Sequence, residues 1–190
     1  VMTQLDKFFI GFYLSAAAVA YYGAPYEIIT KYLVIPAAIS SVFFVTFAFE
    51  KGSNSNELYR NLEVGLMVNF VYLFPLMLIF MSLIESLLLF WLGSDMSMES
   101  IPIAKCLIIG IFINGISLIP FSFIQGIGRA DITAKLHMIE LPIYIIMLII
   151  SVEKYGLLGV AIVWTLRIFI DACLLIFITG KTFLKKDSIF

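Results

Sequence analysis

Six apolar runs, at roughly residues 1–22, 28–49, 63–92, 101–126, 132–152 and 156–180, take up most of this chain of 190 residues. Each is about 20 residues or longer, enough at 1.5 Å per residue to cross about 30 Å of hydrocarbon. Only 13% of the residues are charged and 62% are hydrophobic, whereas soluble domains are about one-quarter charged. Mean hydropathy is +1.08. The chain is therefore expected to be an all-α polytopic membrane protein, a six-helix transmembrane bundle.

The net charge of −1 says little, but the placement of the charges says more. Lys51 and Arg60 fall between segments two and three, Arg129 and Lys135 between four and five, and Lys181, Lys185 and Lys186 after six. The intervening turns hold Pro25 and Glu27, then Asp95 and Glu99, then Glu153 beside Lys154. Basic turns alternate with acidic or mixed ones, so the positive-inside rule puts both ends in the cytoplasm. Lys7 fits as an inner anchor of segment one.

Segment one starts almost on top of Asp6 and Lys7 and lacks the layout of a signal peptide. It reads as an internal fragment that begins partway through a helix. Pro36, Pro75, Pro120 and Pro142 interrupt apolar runs, where each removes a backbone hydrogen bond and favours a bend. Pro102 is expected in the first turn of its helix, where the missing N–H is harmless. Segment three exceeds one vertical crossing, so 86–91 should tilt or reach the interface.

Charges inside the apolar runs carry most of the functional information, because an ion in hydrocarbon must face protein or a wet cavity. Arg167 and Asp171 stand four apart on one face of segment six. They either neutralise each other to lock packing, or Arg167 meets an anionic ligand that its fork suits, with Asp171 tuning it. His137 and Glu140 share a face of segment five, as a satisfied hydrogen bond or as a proton or ion relay. Asp6 reads as cavity-lining or as a packing residue. Glu27 and Lys31 read as an interfacial pair, and Glu85 and Lys105 as interfacial charges. Asp131 and Lys135 read as turn and helix-start residues.

Enzyme motifs are missing. One histidine cannot build a histidine cluster, Cys106 and Cys173 have no ligand spacing, and no phosphate loop or serine elbow occurs, so no metal site and no cofactor are expected. Gly126-Ile127-Gly128 reads as a tight turn between helices. The basic residues are few and lie mostly in membrane loops, so nucleic-acid binding has no support in the sequence.

Several stretches, in order, resemble one family. Asp6-Lys7-Phe8-Phe9-Ile10-Gly11, Ala18–Tyr22 and Pro25-Tyr26-Glu27 are similar to the seventh helix and following turn of bacterial Wzx-type O-antigen flippases. These belong to the multidrug/oligosaccharidyl-lipid/polysaccharide exporter superfamily. Gly126–Lys135 with His137, Glu140, Pro142 and Tyr144 resembles the junction of the tenth and eleventh helices. Gly156–Ala161 through Trp164, Arg167 and Asp171 resembles the twelfth. The chain departs from the family pattern at Lys31, where Arg is commoner, and at Val45-Thr46-Phe47, where a Pro often stands.

The resemblance implies one lobe of a two-lobe transporter, the C-terminal six-helix lobe, with the N-terminal lobe absent from this chain. Its implied work is flipping undecaprenyl-diphosphate-linked O-antigen or polysaccharide units across the bacterial inner membrane by alternating access, without enzymatic chemistry. Arg167, Lys31, Asp6 and Asp171 are the expected substrate or cavity residues, and His137 and Glu140 the expected H+ or Na+ coupling residues. Implied partners are the lipid-linked oligosaccharide, the bilayer, the polysaccharide polymerase and the chain-length regulator. Alternatives are a cation-coupled multidrug exporter and a peptidoglycan-precursor flippase. A membrane-embedded envelope enzyme would need a large external loop, and charges at mid-membrane count against a purely structural subunit.

Overall fold

The computed structural model describes residues 4–50 and 55–186. Val1, Met2 and Lys51 lie outside the described residues, as do the side chains of Asp95, Lys185 and Lys186. Among the described residues the chain is helical with no strand: α1 (Leu5–Tyr13), α2 (Ala16–Thr30), a 3-10 turn (Lys31–Leu33), α3 (Val34–Phe49), α4 (Ser55–Gly126) and α5 (Ala130–Lys186). Four stretches are long and apolar enough to cross a membrane: Ala16–Phe49, Asn56–Ser94, Met96–Gly126 and Ala130–Thr182. Large apolar side chains such as Phe8, Phe90, Met138 and Ile146 point outward, as a surface solvated by lipid allows. This is an all-α, multi-pass membrane protein.

Two helices fold back on themselves. α4 is broken at Gly93 (φ 78°) and α5 at Gly156 (φ 60°), backbone that residues with a Cβ rarely adopt. The reversals bring Lys105 to Glu85 within α4 and His137 to Asp171 within α5. The helix resumes directly after Gly93, so Pro102 lies inside it and not in its first turn as expected.

The expected turn between segments one and two is displaced. α2 runs unbroken through 23–27, and the chain reverses instead at Leu14–Ser15, where the Ser15 hydroxyl caps the Ala18 N–H at 3.0 Å. Pro25 survives inside α2 for a visible reason. Its missing N–H would leave the Tyr21 carbonyl bare, and Ser100 Oγ donates to that carbonyl at 2.9 Å. α1, with nine residues rising about 13 Å, is shorter than a crossing, so the described residues do not form the six membrane-length segments expected.

The Gly126–Lys135 phrase forms the tight turn expected of it. Arg129 N–H bonds the Ile124 carbonyl and Gly128 N–H the Gln125 carbonyl, a Schellman closure with Gly128 at φ 80°. Asp131 pairs with Arg129 at 3.2 Å and Lys135 at 3.7 Å, all exposed. α3 passes through Val45-Thr46-Phe47 without a bend and buries Phe47 against Phe123 and the backbone at Gly126.

Replacing Ser100 with alanine should lower thermal stability by about 1 kcal/mol, since it exposes the carbonyl that Pro25 frees. Ser82, whose hydroxyl bonds its own helix at Leu78, is the control. Thermal unfolding in detergent checks it, with S100A melting below wild type and S82A unchanged.

Candidate functional site

A polar strip runs through the otherwise apolar interior, where α1, α2, the second half of α4 and both arms of α5 meet. It borders a cavity of about 620 Å³. Tyr26, Glu27 and Thr30 of α2, Asn114, Ser117 and Phe121 of α4, and His137, Trp164, Arg167 and Asp171 of α5 line it. Trp164 can reach this position because it seats against Gly110, where a Cβ would collide with its ring. Its edge packs on Tyr26 at 5.9 Å.

Of the expected residues, the fold brings Arg167, Asp171 and His137 to one cavity. Arg167 lies over the face of Tyr144, 5.3 Å from the ring centre. His137 Nδ1 is 3.4 Å from Glu140 Oε2 and 3.9 Å from Asp171 Oδ1, so the single histidine stands between carboxylates from the two arms of α5. Glu140 borders a smaller cavity of about 110 Å³ that also touches Arg167 and Tyr144. The three side chains offer ligand atoms within 4.8 Å of one another.

The other expected residues stand elsewhere. Asp6 is fully buried, does not line the cavity, and accepts a hydrogen bond from Tyr22 at 2.7 Å. Lys31, in the 3-10 turn, is exposed and does not line the cavity. Glu27 does not take Lys31 as its partner. It pairs with Lys7 at 2.7 Å, and Lys7 also lies 4.7 Å above the Tyr26 ring. Lys7 stands seven residues below the Leu14–Ser15 turn, about 10 Å into the helix; the displaced turn thus carries the expected inner anchor and outer-turn acid to one level.

Sequence reading missed Lys7, Tyr22, Tyr26 and Tyr144 as parts of this strip. Tyr22 and Tyr26 were findable as a four-residue spacing on one face of α2, which the structure shows as stacked rings 6.0 Å apart. Lys7 and Tyr144 depend on where the chain turns and had no local signal. Chemically, the strip offers a guanidinium for an anion and a histidine between two carboxylates that can hold a proton or a cation.

The chain is 39% identical over 175 residues to a Shigella flexneri protein described as "Putative O-antigen transporter". The alignment covers 92% of this chain and 41% of that protein, so the chain spans less than half the relative's length. No family model matches the chain, and no solved structure matches it. A likeness over so much of the chain bears out the resemblance to O-antigen transporters read from the sequence.

If the cavity is wet and the outer face meets lipid, cysteines placed in them should differ. In a background with Cys106→Ser and Cys173→Ser, Asn114→Cys should react with a hydrophilic thiol reagent at least tenfold faster than Ile146→Cys. Labelling rates followed by gel shift in intact membranes check this.

Proposed function

We propose, from the relationship to an O-antigen transporter, that this chain is one lobe of a two-lobe flippase. It moves undecaprenyl-diphosphate-linked sugar units across the bacterial inner membrane by alternating access. The observation that carries the reading is Arg167, a guanidinium at mid-membrane on the wall of a 620 Å³ cavity. Such a charge is costly in hydrocarbon and is kept where a pathway needs it. Its planar fork can hold a phosphate through two parallel hydrogen bonds.

The neighbouring side chains have definable parts in this reading. Tyr144 steadies the guanidinium from one face. Lys7 is a second cation, held behind the cavity wall by Glu27 and the Tyr26 ring, and Asp6 balances charge beside it. Lys31 is a weaker candidate for first contact than Arg167, because it lies outside the cavity. The second lobe completes the enclosure, and the prolines inside the helices are the points where the lobes flex as they rock. His137 and Glu140 are the candidates for coupling to H+ or Na+. The product is the substrate of a polysaccharide polymerase acting with a chain-length regulator on the far side.

The placement of the basic residues supports an orientation. Arg60, Arg129, Lys135 and Lys181 gather at the end bearing the Gly128 turn, whereas Glu99, Glu153 and Lys154 lie at the end of the Gly93 and Gly156 turns. The first end is assigned to the cytoplasm. A second reading, a cation-coupled exporter of the same superfamily, is favoured by the His137–Glu140–Asp171 cluster.

Arg167→Gln in the full-length transporter should abolish surface O-antigen in a flippase-deficient strain while the protein still inserts. Arg167→Lys should retain partial activity, keeping charge without the fork. Loss of a charge-assisted phosphate contact of about 1.5–3 kcal/mol corresponds to roughly 10- to 150-fold in binding. Wild-type activity of a normally inserted R167Q protein would overturn the reading.

A further inference from the structure

Four carboxylates, Asp6, Glu27, Glu140 and Asp171, share the polar strip with two cations, Lys7 and Arg167. Left as they are, these groups give the strip an excess of negative charge where the bilayer tolerates none. That excess also opposes the entry of an anionic headgroup. Something with positive charge, a proton or a metal ion, must join the site.

The structure shows where. The Glu140 and Asp171 side chains are only 9% and 10% exposed. Glu140 Oε1 and Asp171 Oδ1 have no hydrogen-bond partner, although a buried carboxylate normally has its oxygens satisfied. Asp171 Oδ1 is the very atom that points at His137 Nδ1, 3.9 Å away. Two buried carboxylates and an imidazole, with ligand atoms within 4.8 Å of one another, can close on a metal ion with bonds of about 2.0–2.2 Å by small rotamer adjustments.

We propose that His137, Glu140 and Asp171 bind a divalent metal ion, and that a diphosphate headgroup completes its coordination while Arg167 holds the same group from the side. A mixed imidazole and carboxylate set takes first-row divalent ions, among which Mn2+ is the paramagnetic probe. Small divalent ions bound by one or two carboxylates commonly take phosphate oxygens as their remaining ligands. The ion cancels the excess negative charge, so acids that would repel a diphosphate become its anchor. His137 and Glu140 come from one arm of α5 and Asp171 from the other, so the ion also ties the hairpin together. The diphosphate half of this proposal rests on the flippase reading; the metal half does not.

Tag-free protein in detergent, titrated with Mn2+ and followed by electron paramagnetic resonance, tests it. A saturable Mn2+ is expected in the full-length protein, with nitrogen coupling in the echo modulation that His137→Gln removes. Glu140→Gln and Asp171→Asn should each weaken Mn2+ at least tenfold, and the exposed Glu85→Gln should leave it unchanged. Mn2+ should in turn raise the affinity for inorganic diphosphate at least tenfold, and Arg167→Gln should lose that gain but keep the Mn2+. Absence of saturable Mn2+ in the millimolar range, or Mn2+ without nitrogen coupling, overturns the proposal. If R167Q flips normally while Mn2+ binds, the flippase reading fails and the metal site stands.

Discussion

Hydrocarbon offers no partner to a polar group, and that constraint shapes both the backbone and the site. Pro25 can sit inside a membrane helix because Ser100 takes over the carbonyl it frees. Asn69, on the first half of α4, likewise donates to the Gly115 carbonyl of the second half at 2.9 Å. These contacts are few, but each one fixes how two helices lie against each other. The remaining interfaces are filled by small-residue approaches and aromatic packing, such as Phe47 on Phe123.

The same constraint gathers the charges. Lys7, Glu27, Arg167, Asp171, His137 and Glu140 cannot be scattered through lipid, so they collect along one internal strip. Within it every charge has a legible neighbour: an aromatic face for Arg167 and Lys7, a lysine for Glu27, a phenol for Asp6. A transporter of amphipathic molecules needs such a strip, since the lipid tail can stay outside while the charged head crosses within.

Much of this was legible in the amino-acid order. The apolar runs mark the membrane helices because length and composition decide solvent. The Gly126–Lys135 turn follows from two glycines beside a charge cluster, and the His137–Glu140 contact from helical spacing alone. The turn at Leu14–Ser15 was not legible. Pro25 and Glu27 look like a stronger break, and only the distant Ser100, which cancels the proline's effect, shows otherwise. With that turn misplaced, the Lys7–Glu27 pair could not be foreseen. Asp171 could not be placed beside His137 either, because their meeting depends on the fold-back at Gly156.

The central claim is that the anionic head of a lipid-linked oligosaccharide passes along the wall formed by α2, α4 and α5. Site-specific photo-crosslinking in the full-length transporter, supplied with radiolabelled lipid-linked oligosaccharide, tests it most directly. A photoreactive residue at Asn114, which lines the cavity, should capture the label, and one at Ile146, on the outer face, should not. Label captured at Ile146 and absent from Asn114 would contradict the account.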